Sequence, residues 1–231
     1  MKPKKIVNYF NEEMLERISF VSDNSFDFMD NNERADEIIS ILNEYGFTEV
    51  GCGTNRIVVK DTDNSDIVFK IALDHRGNVD NFSEFRLSKE VPKITNIAVA
   101  DTYDNNGLIL ISEFCPTMTS DDMYEYHDEV MSQLNILKDY YILNDVGPKS
   151  FKNWGFKRID GNDIPILIDY AYLTSMENVT RNRCGKCGHK LLYSEDFEYL
   201  ECKKCGTIYS FSQIADPNTL EDELGFNTNS I

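Results

Sequence analysis

Four of the six cysteines form two C-x-x-C pairs near the C-terminal end of the chain, and this spacing constrains the fold more than any other feature. The two-residue spacer lets both sulfurs of a pair point at one metal ion. A glycine, Gly188 or Gly206, follows each pair and relieves crowding where the backbone turns toward the sulfurs. Four thiolates make a closed tetrahedral shell that suits a structural Zn²⁺ ion and leaves no open position for catalysis. The predicted ligands are Cys184, Cys187, Cys202 and Cys205.

Two other interpretations of the four cysteines stay open, namely four unrelated thiols and an iron–sulfur site. His189 lies beside the first pair, but the cysteines already fill the shell, so we expect its side chain to be solvated. Cys52 and Cys115 are expected to be inert apolar fillers. This distribution indicates metal binding rather than a disulfide framework and favours a reducing cytoplasm.

The composition is acidic but typical of a folded chain. The 231 residues carry 40 Asp and Glu against 23 Lys and Arg, a net charge of −17, with 41% hydrophobic and 12% aromatic residues. Such acidity argues against extensive electrostatic binding to the phosphate backbone of nucleic acid. No apolar run approaches the ~18 residues of a membrane span, and polar residues stand where a signal peptide needs an apolar stretch. We therefore expect a cytoplasmic protein with no membrane partner.

Apolar periodicity and turn residues predict alternating helical and extended segments. The first three predicted strands are separated by turns and indicate an antiparallel meander. The third predicted helix should end before Pro92, because the residue preceding proline disfavours helix. The predicted helices cover residues 4–20, 33–45, 79–90 and about 120–143, and the predicted strands cover 47–50, 56–60, 67–73, 97–102, 108–113 and 164–171, with a hairpin turn at 160–163.

A glycine-containing turn precedes a lysine on a later strand. Gly51 and Gly53 separate two predicted strands and would let the backbone lie close to phosphates, with which Lys70 could pair. An ordinary turn and an exposed strand lysine explain the same residues equally simply. This stretch nevertheless resembles the protein-kinase-like fold, whose Gly-rich loop reads G-x-G-x-x-G-x-V. Gly51, Gly53 and Val58 match that loop, and Arg56 replaces its third glycine.

The resemblance continues along the first half of the chain. Val68-Phe69-Lys70 is similar to the V-A-I-K strand, which implies that Lys70 holds the α- and β-phosphates of ATP. Glu84, 14 residues later on a predicted helix, is then the partner that positions the lysine. Glu113 would begin the hinge that binds adenine. On the residues alone, Glu84 could also be a solvated helix residue.

The catalytic loop and the metal-binding strand are matched less completely. Asn153 resembles the asparagine that binds the second Mg²⁺, but Pro148 stands where the family has its catalytic aspartate. Asp145, eight residues before Asn153, is the implied base. Asp169 resembles the Mg²⁺-binding aspartate of D-F-G, and it lies in the apolar strand predicted for 164–171. A carboxylate buried there would need a partner or a metal ion. Asn153 could instead cap a turn.

The kinase resemblance implies an α+β, protein-kinase-like two-lobed fold with an antiparallel N-lobe sheet plus helix and a reduced helical C-lobe. The segment with the two cysteine pairs separately resembles a small zinc ribbon, which would place a β-hairpin, residues 191–193 and 197–200, between the pairs. The implied domains are an N-terminal helical extension (1–45), the N-lobe (46–115), the C-lobe (116–180), the zinc ribbon (181–211) and an acidic tail (212–231).

Three functions follow from this resemblance. An active member would use ATP and Mg²⁺ to phosphorylate a protein or small-molecule hydroxyl. A pseudokinase would keep the fold as a binding platform and dock a partner through the ribbon. A regulator of transcription or host machinery would contact nucleic acid or polymerase through the ribbon, although its net charge of +2 over residues 181–206 is too small to indicate DNA binding by itself. Short kinase-like chains of this kind resemble some phage-encoded proteins.

Overall fold

The computed structural model of the protein describes residues 4–23, 29–63, 66–177, 183–193 and 199–210. The acidic tail predicted for 212–231 lies outside the described residues, as does the start of the ribbon strand predicted for 197–200. The chain divides into two compact units. Unit 1 comprises Met1–Ser88 and Ala100–Phe114, and unit 2 comprises Lys89–Val99 and Cys115–Ile231. The described residues are mixed α+β, as the sequence predicts, while the kinase-like lobes and domain bounds stay predictions.

Unit 1 contains a five-stranded antiparallel sheet made of β1 (Phe47–Cys52), β2 (Arg56–Asp61), β3 (Ile67–Ala72), β4 (Thr102–Asn105) and β5 (Ile109–Glu113). The strand order is β1-β2-β3-β5-β4, which includes the predicted meander. All six residues of the central strand β3 are buried, with Phe69 packed in the hydrophobic core and Lys70 paired with Glu84. The strand predicted for 97–102 is wrong in its bounds, since β4 begins at Thr102 and Val99, a residue of unit 2, forms an isolated bridge with Leu167.

Two N-terminal helices share a core with this sheet. A 3₁₀ turn (Ile6–Asn8) precedes α1 (Glu12–Ser22), so the single helix predicted from residue 4 is interrupted where the Asn11 side chain caps α1. A capping box starts α2 (Asn31–Asn43). The core includes the rings of Phe10, Phe47 and Phe69, whose centroids lie 5.1 to 5.5 Å apart.

Helix α3 (His75–Thr95) is longer than predicted at both ends. Its first turn begins early because Asp74 Oδ1 accepts hydrogen bonds from the N–H groups of Arg76 and Gly77. The prediction that it ends before Pro92 is wrong, since Pro92 lies inside the helix. Pro92 has no N–H to donate, but its carbonyl accepts the N–H of Asn96 at 3.0 Å. The last turn of the helix therefore still closes.

Unit 2 contains two short helices where the sequence predicts one long helix. Tyr126 has φ −100° and ψ 22° and breaks the segment, and the chain becomes extended soon after Leu137. The hairpin turn predicted at 160–163 is present, with φ +84° at Gly161. The elements are α4 (Ser120–Glu125), α5 (His127–Leu137), β6 (Tyr141–Ile142), a 3₁₀ segment (Pro148–Asn153), β7 (Trp154–Ile159), β8 (Asn162–Leu167), β9 (Thr174–Ser175), β10 (Leu192–Tyr193), β11 (Tyr199–Glu201) and β12 (Ile208–Ser210).

The last three strands form a small antiparallel sheet, β10-β11-β12, around the cysteine pairs. The hairpin expected between the pairs corresponds to β10 and β11, and β12 adds a third strand that the sequence did not predict. In the described part of the chain, no helix combines the length and the apolar character that a membrane crossing requires.

Candidate functional site

Lys70 and Glu84 form a buried ion pair within unit 1. Lys70 lies on the central strand β3, and Glu84 lies on α3. The distance from Lys70 Nζ to Glu84 Oε1 is 2.6 Å, and the two side chains are 7% and 0% exposed. The structure therefore brings together two residues that the motif spacing associates with one another.

Arg56 is a second cation on the same carboxylate. Its Nη2 lies 2.9 Å from Glu84 Oε2, so each oxygen of Glu84 faces one positive charge. The Arg56 side chain is 6% exposed. The three groups carry a formal net charge of +1. Sequence reasoning treated Arg56 only as a missing glycine, because an arginine at the start of an apolar strand carries no local signal of a partner on a helix.

Asn81, one turn before Glu84 on α3, holds this cluster in place. Its Nδ2 donates to the carbonyl of Lys70 at 3.2 Å and to that of Gly107 at 2.7 Å, and its Oδ1 accepts from Arg56 Nη1 at 3.2 Å. The side chain is fully buried. One amide thus links the helix, the central strand and the turn before β5, and sequence reasoning did not identify it.

The predicted glycine loop connects β1 and β2. Gly51 pairs with Val58 beside a bulge in β1, and the Gly53 N–H donates to the Arg56 carbonyl at 2.8 Å. A Cβ on Gly51 would meet none of the described atoms within 4 Å, and one on Gly53 would make only an ordinary contact at 3.5 Å. Neither glycine has a positive φ. Packing and backbone conformation therefore do not require glycine at these two positions.

The tip of the same loop is attached to α3. Asn55 Nδ2 donates to Asp80 Oδ2 at 3.0 Å. Gly77 lies so close that a Cβ there would come within 2.3 Å of the Asn55 carbonyl oxygen. These contacts fix the tip of the loop on α3, and Asn55 is the residue directly before Arg56 of the ion cluster.

Glu113, the predicted hinge residue, ends β5. Its N–H donates to the Asp101 carbonyl at 2.8 Å, and its Oε2 accepts the Asp101 N–H at 3.2 Å. The backbone and side chain of Glu113 thus both bind the residue before β4. The adenine-binding role stays a prediction.

Asp145, Asn153 and Asp169 lie close together within unit 2. Asn153 Nδ2 donates to the Asp145 carbonyl at 2.6 Å and to its Oδ2 at 3.2 Å. The Asn153 carbonyl accepts the backbone N–H of Asp169 at 3.2 Å. Asp145 has φ +55°, and its Oδ1 accepts a hydrogen bond from the Ser150 hydroxyl. The three residues that the resemblance places in the catalytic loop and metal site thus share one hydrogen-bonded arrangement.

The expected setting of Asp169 was wrong. Strand β8 ends at Leu167, so Asp169 lies after the strand rather than inside it, and it is half-buried. The ladder stops because Ile168 N–H, like the N–H of Asp169, turns to the Asn153 carbonyl. The argument from a carboxylate buried in an apolar strand therefore does not apply to Asp169.

The four cysteines of the C-x-x-C pairs converge in unit 2. Their sulfurs all lie within 4.8 Å of one another, an arrangement that could hold a metal ion such as zinc. Sulfur–sulfur distances of 3.4 to 3.5 Å are far beyond a disulfide bond. They are slightly shorter than the edge of about 3.8 Å expected for a ZnS₄ tetrahedron with bonds of about 2.3 Å.

The two cysteine pairs have the same backbone hydrogen bonds, so each forms a knuckle. The Cys184 N–H donates to the carbonyl of His189 at 2.7 Å, and the Cys202 N–H donates to that of Thr207 at 2.9 Å. The glycine after each pair has a positive φ, +73° and +69°, a conformation that glycine adopts without strain. The side chain of His189 is exposed, as expected.

Hydroxyl groups surround the thiols. Tyr209 is 2% exposed, and its hydroxyl lies 3.2 Å from Cys184 Sγ, while the Thr207 hydroxyl lies 3.1 Å from Cys205 Sγ. A hydrogen bond from Cys205 lowers the pKa of Cys184, and the same bond raises the pKa of Cys205. Burial raises the pKa of Cys187 to about 11 and also raises that of Tyr209. The Tyr209 hydroxyl and the Cys184 sulfur are thus within hydrogen-bond distance of each other.

No protein-family model matches the chain, and no curated protein matches it either.

Proposed function

We propose that this protein binds ATP with Mg²⁺ and acts as a kinase-like phosphotransferase on a protein or small-molecule hydroxyl. The observation that carries the proposal is the 2.6 Å pair between Lys70 Nζ and Glu84 Oε1. Motif order in the sequence predicts this pair, and a lysine on the central strand has many other possible neighbours. Their contact supports the role of Lys70 as the group that orients phosphates.

The chemistry of the cluster suits an anionic ligand. Arg56 and Lys70 place two cationic side chains around Glu84, and phosphate oxygens are acceptors that such groups bind well. A phosphate group close to Lys70 would share its ammonium group with Glu84. Gly51 and Gly53 add to the argument, because packing does not require glycine there, whereas close approach of a backbone to phosphates does.

Unit 2 supplies oxygen ligands of the kind that Mg²⁺ prefers. Asn153 uses its amide nitrogen to bind Asp145, so its Oδ1 is the atom that would bind Mg²⁺ together with the Asp169 carboxylate. Asp145 would accept the proton of the substrate hydroxyl. The hydrogen bonds that it accepts from Ser150 and Asn153 fix the position of its carboxylate.

A pseudokinase is the alternative, and a specific observation favours it. Pro148 occupies the position of the family's catalytic aspartate and begins the 3₁₀ segment that ends at Asn153. ATP would then bind without phosphoryl transfer, and the ribbon would dock a protein partner.

Thermal unfolding with and without ATP and Mg²⁺ tests the nucleotide site. ATP at 100 times its Kd should stabilise the protein by about 2.7 kcal/mol, measured as a rise in Tm. Lys70→Met should abolish the rise, whereas Lys60→Met on the neighbouring strand should keep it. A wild-type Tm that does not change at millimolar ATP would reject the proposal.

Transfer of labelled phosphate from ATP separates the two functions. The active enzyme should label itself or an added acceptor, and Asp169→Asn should abolish labelling. If wild-type protein binds ATP but transfers no phosphate, the pseudokinase is correct. Labelling that survives in Asp145→Asn would remove Asp145 from the role of base.

We also propose that the ion held by the four cysteines is a structural Zn²⁺ and that the chain works in a reducing cytoplasm, where thiols persist. Four cysteine sulfurs complete a tetrahedral shell without a water ligand. Elemental analysis should give about one zinc per chain. Iron with a visible charge-transfer band would identify an iron–sulfur site instead.

A further inference from the structure

We infer that the first cysteine knuckle, residues 184–187, is a brace that positions the loop bearing Asp169. By this inference, metal occupancy of the cysteine site controls the geometry of the Asp145–Asn153–Asp169 arrangement. The expected effect of the brace on Mg²⁺ binding rests on the proposed function, whereas the brace itself rests on contacts within unit 2.

The backbone of the knuckle lies directly on strand β9. A Cβ on Gly185 would come within 2.2 Å of Thr174 Cγ2 and 2.9 Å of the Ser175 nitrogen. Real Cβ atoms do not approach backbone atoms so closely, so only glycine permits this contact. Gly185 has no positive φ, and its identity is therefore explained by the contact with β9.

Two side chains extend the same contact. Lys186 Nζ lies 4.8 Å from the centroid of the Tyr172 ring, and Lys186 is only 9% exposed, which favours a cation–π interaction. The Tyr209 hydroxyl, next to Cys184 Sγ, also hydrogen-bonds to the Thr174 side chain. The first knuckle and Tyr209 thus contact the segment 172–175 at several points.

That segment leads directly to Asp169. The residues between them are buried, and the Leu173 N–H donates to the Tyr170 carbonyl in a tight turn at 3.1 Å. The Tyr172 carbonyl accepts a hydrogen bond from the side chain of Asn144, the neighbour of Asp145, at 3.4 Å. A displacement of 172–175 would therefore reach both aspartates through short, direct connections.

Strand β9 has few sheet hydrogen bonds. It pairs with β6 over two positions, Tyr141 with Ser175 and Ile142 with Thr174, and the Met176 N–H donates to the Tyr140 carbonyl at 3.1 Å. Two-stranded ribbons of this length are marginal by themselves. Packing of the knuckle on the strand therefore adds a constraint that the ribbon alone does not supply, and we expect the knuckle to depend on its metal ion, as small zinc sites do.

Gly185→Ala tests the brace without removing a metal ligand. The added methyl should push the knuckle off β9, so backbone hydrogen exchange at 168–176 should accelerate about tenfold or more while zinc content stays unchanged. Gly206→Asn is the matched control in the second knuckle. Its Cβ would meet none of the described atoms within 4 Å, and Asn tolerates the left-handed backbone, so exchange at 168–176 should not change.

Lys186 provides a second test that leaves the backbone intact. Lys186→Ala should accelerate backbone hydrogen exchange at Tyr172 and Leu173. Lys186→Arg should keep the wild-type exchange rate, because arginine also binds aromatic faces. Lys190→Ala, the control, should have no effect. These three variants decide the matter if Gly185→Ala loses its zinc. Wild-type exchange rates in zinc-loaded Lys186→Ala would overturn the brace.

Binding of Mn²⁺·ATP distinguishes failure of the brace from failure of the proposed function. If both hold, Gly185→Ala should weaken Mn²⁺·ATP binding about tenfold, with wild-type affinity in Gly206→Asn. If wild-type protein does not bind Mn²⁺·ATP, the proposed function fails, and the exchange rates still decide the brace. Accelerated exchange with unchanged affinity for Mn²⁺·ATP would overturn the link between the knuckle and Asp169.

Discussion

The ion cluster of unit 1 and the cysteine site of unit 2 remove ionisable side chains from water in opposite ways. Arg56, Lys70 and Glu84 neutralise most of their charge among themselves. The four cysteines are alike, so their thiolates would repel one another and can be compensated only by a cation. One cluster is therefore complete within the polypeptide, and the other depends on an ion from the surroundings.

The difference teaches which part of the molecule responds to its environment. A chelator or an oxidant has no target among an arginine, a lysine and a glutamate. At the cysteine site, a chelator removes the metal ion and an oxidant attacks the thiolates. We expect the stability of unit 1 to be set by the sequence alone and that of the ribbon by metal supply and redox state. Four experiments can break or sharpen this contrast.

Removal of the metal should have the largest effect. Chelation or Cys184→Ser should unfold the ribbon, because structural zinc sites contribute on the order of 10–16 kcal/mol of binding free energy in small zinc domains. Hydrogen exchange should show lost protection over the described ribbon residues and unchanged protection in β3 and β5. Equal loss of protection in both units would break the contrast.

Substitution of Glu84 should have the next largest effect. Glu84→Gln leaves two buried cations without their carboxylate and should cost about 3–5 kcal/mol of unfolding free energy. Lys70→Met should cost clearly less, because Arg56 and Glu84 remain as a balanced pair. Denaturant unfolding measures both free energies. A larger cost for Lys70→Met than for Glu84→Gln would show that Glu84 does not compensate both cations.

Substitution of Arg56 should have a moderate effect. Arg56→Met removes one charged partner of Glu84 and a hydrogen bond to Asn81, at a cost of about 1.5–3 kcal/mol. The double variant with Lys70→Met strips both cations from Glu84, so its cost should exceed the sum of the single costs. Additive costs in urea unfolding would mean that the two cations do not share the carboxylate energetically.

Protonation of Asp104 should have the smallest effect, because its ion pair is partly exposed. Burial raises the pKa of Asp104, but hydrogen bonds from Ile6 N–H and Lys5 Nζ outweigh it and leave the pKa below its ordinary value. Its contribution is thus complete above the unfolded pKa of about 3.9 and is lost as pH falls through the folded pKa.

Asp104→Asn should cost about 1 kcal/mol or less at pH 7 and should flatten the loss of stability below about pH 4. Thermal unfolding across pH measures both effects. A cost as large as that of Glu84→Gln would contradict the idea that burial, rather than pairing alone, sets the size of these effects.

Local patterns predicted much of what the structure contains. The meander β1–β3, the hairpin turn at Gly161 and the convergence of the cysteines all follow from short-range spacing. The pairing of Lys70 with Glu84 followed from motif order, since the strand and the helix succeed one another directly. Such features are encoded within about 20 residues, where periodicity and turn chemistry operate.

Features that depend on distant partners were missed. The sequence shows Arg56 only as the replacement for a loop glycine, because its ion-pair partner Glu84 lies on α3. Nothing in the local sequence indicates that the Tyr209 hydroxyl lies next to Cys184. The helix predicted through residue 143 stops earlier because Tyr141 is needed in a strand pair with Ser175. Tertiary contacts decided each case against the local preference.

Asn81 has a consequence for tracing the ancestry of the chain. Aspartate would lose its donors, and an apolar side chain would leave the carbonyls of Lys70, Gly107 and Leu108 without this amide. The amide and the ions around it therefore constrain one another, so we expect descendants of a common ancestor to inherit them together. The spacing R-x13-K-x10-N-x2-E, from Arg56 to Glu84, is a signature by which distant homologues could be recognised when overall sequence identity is low.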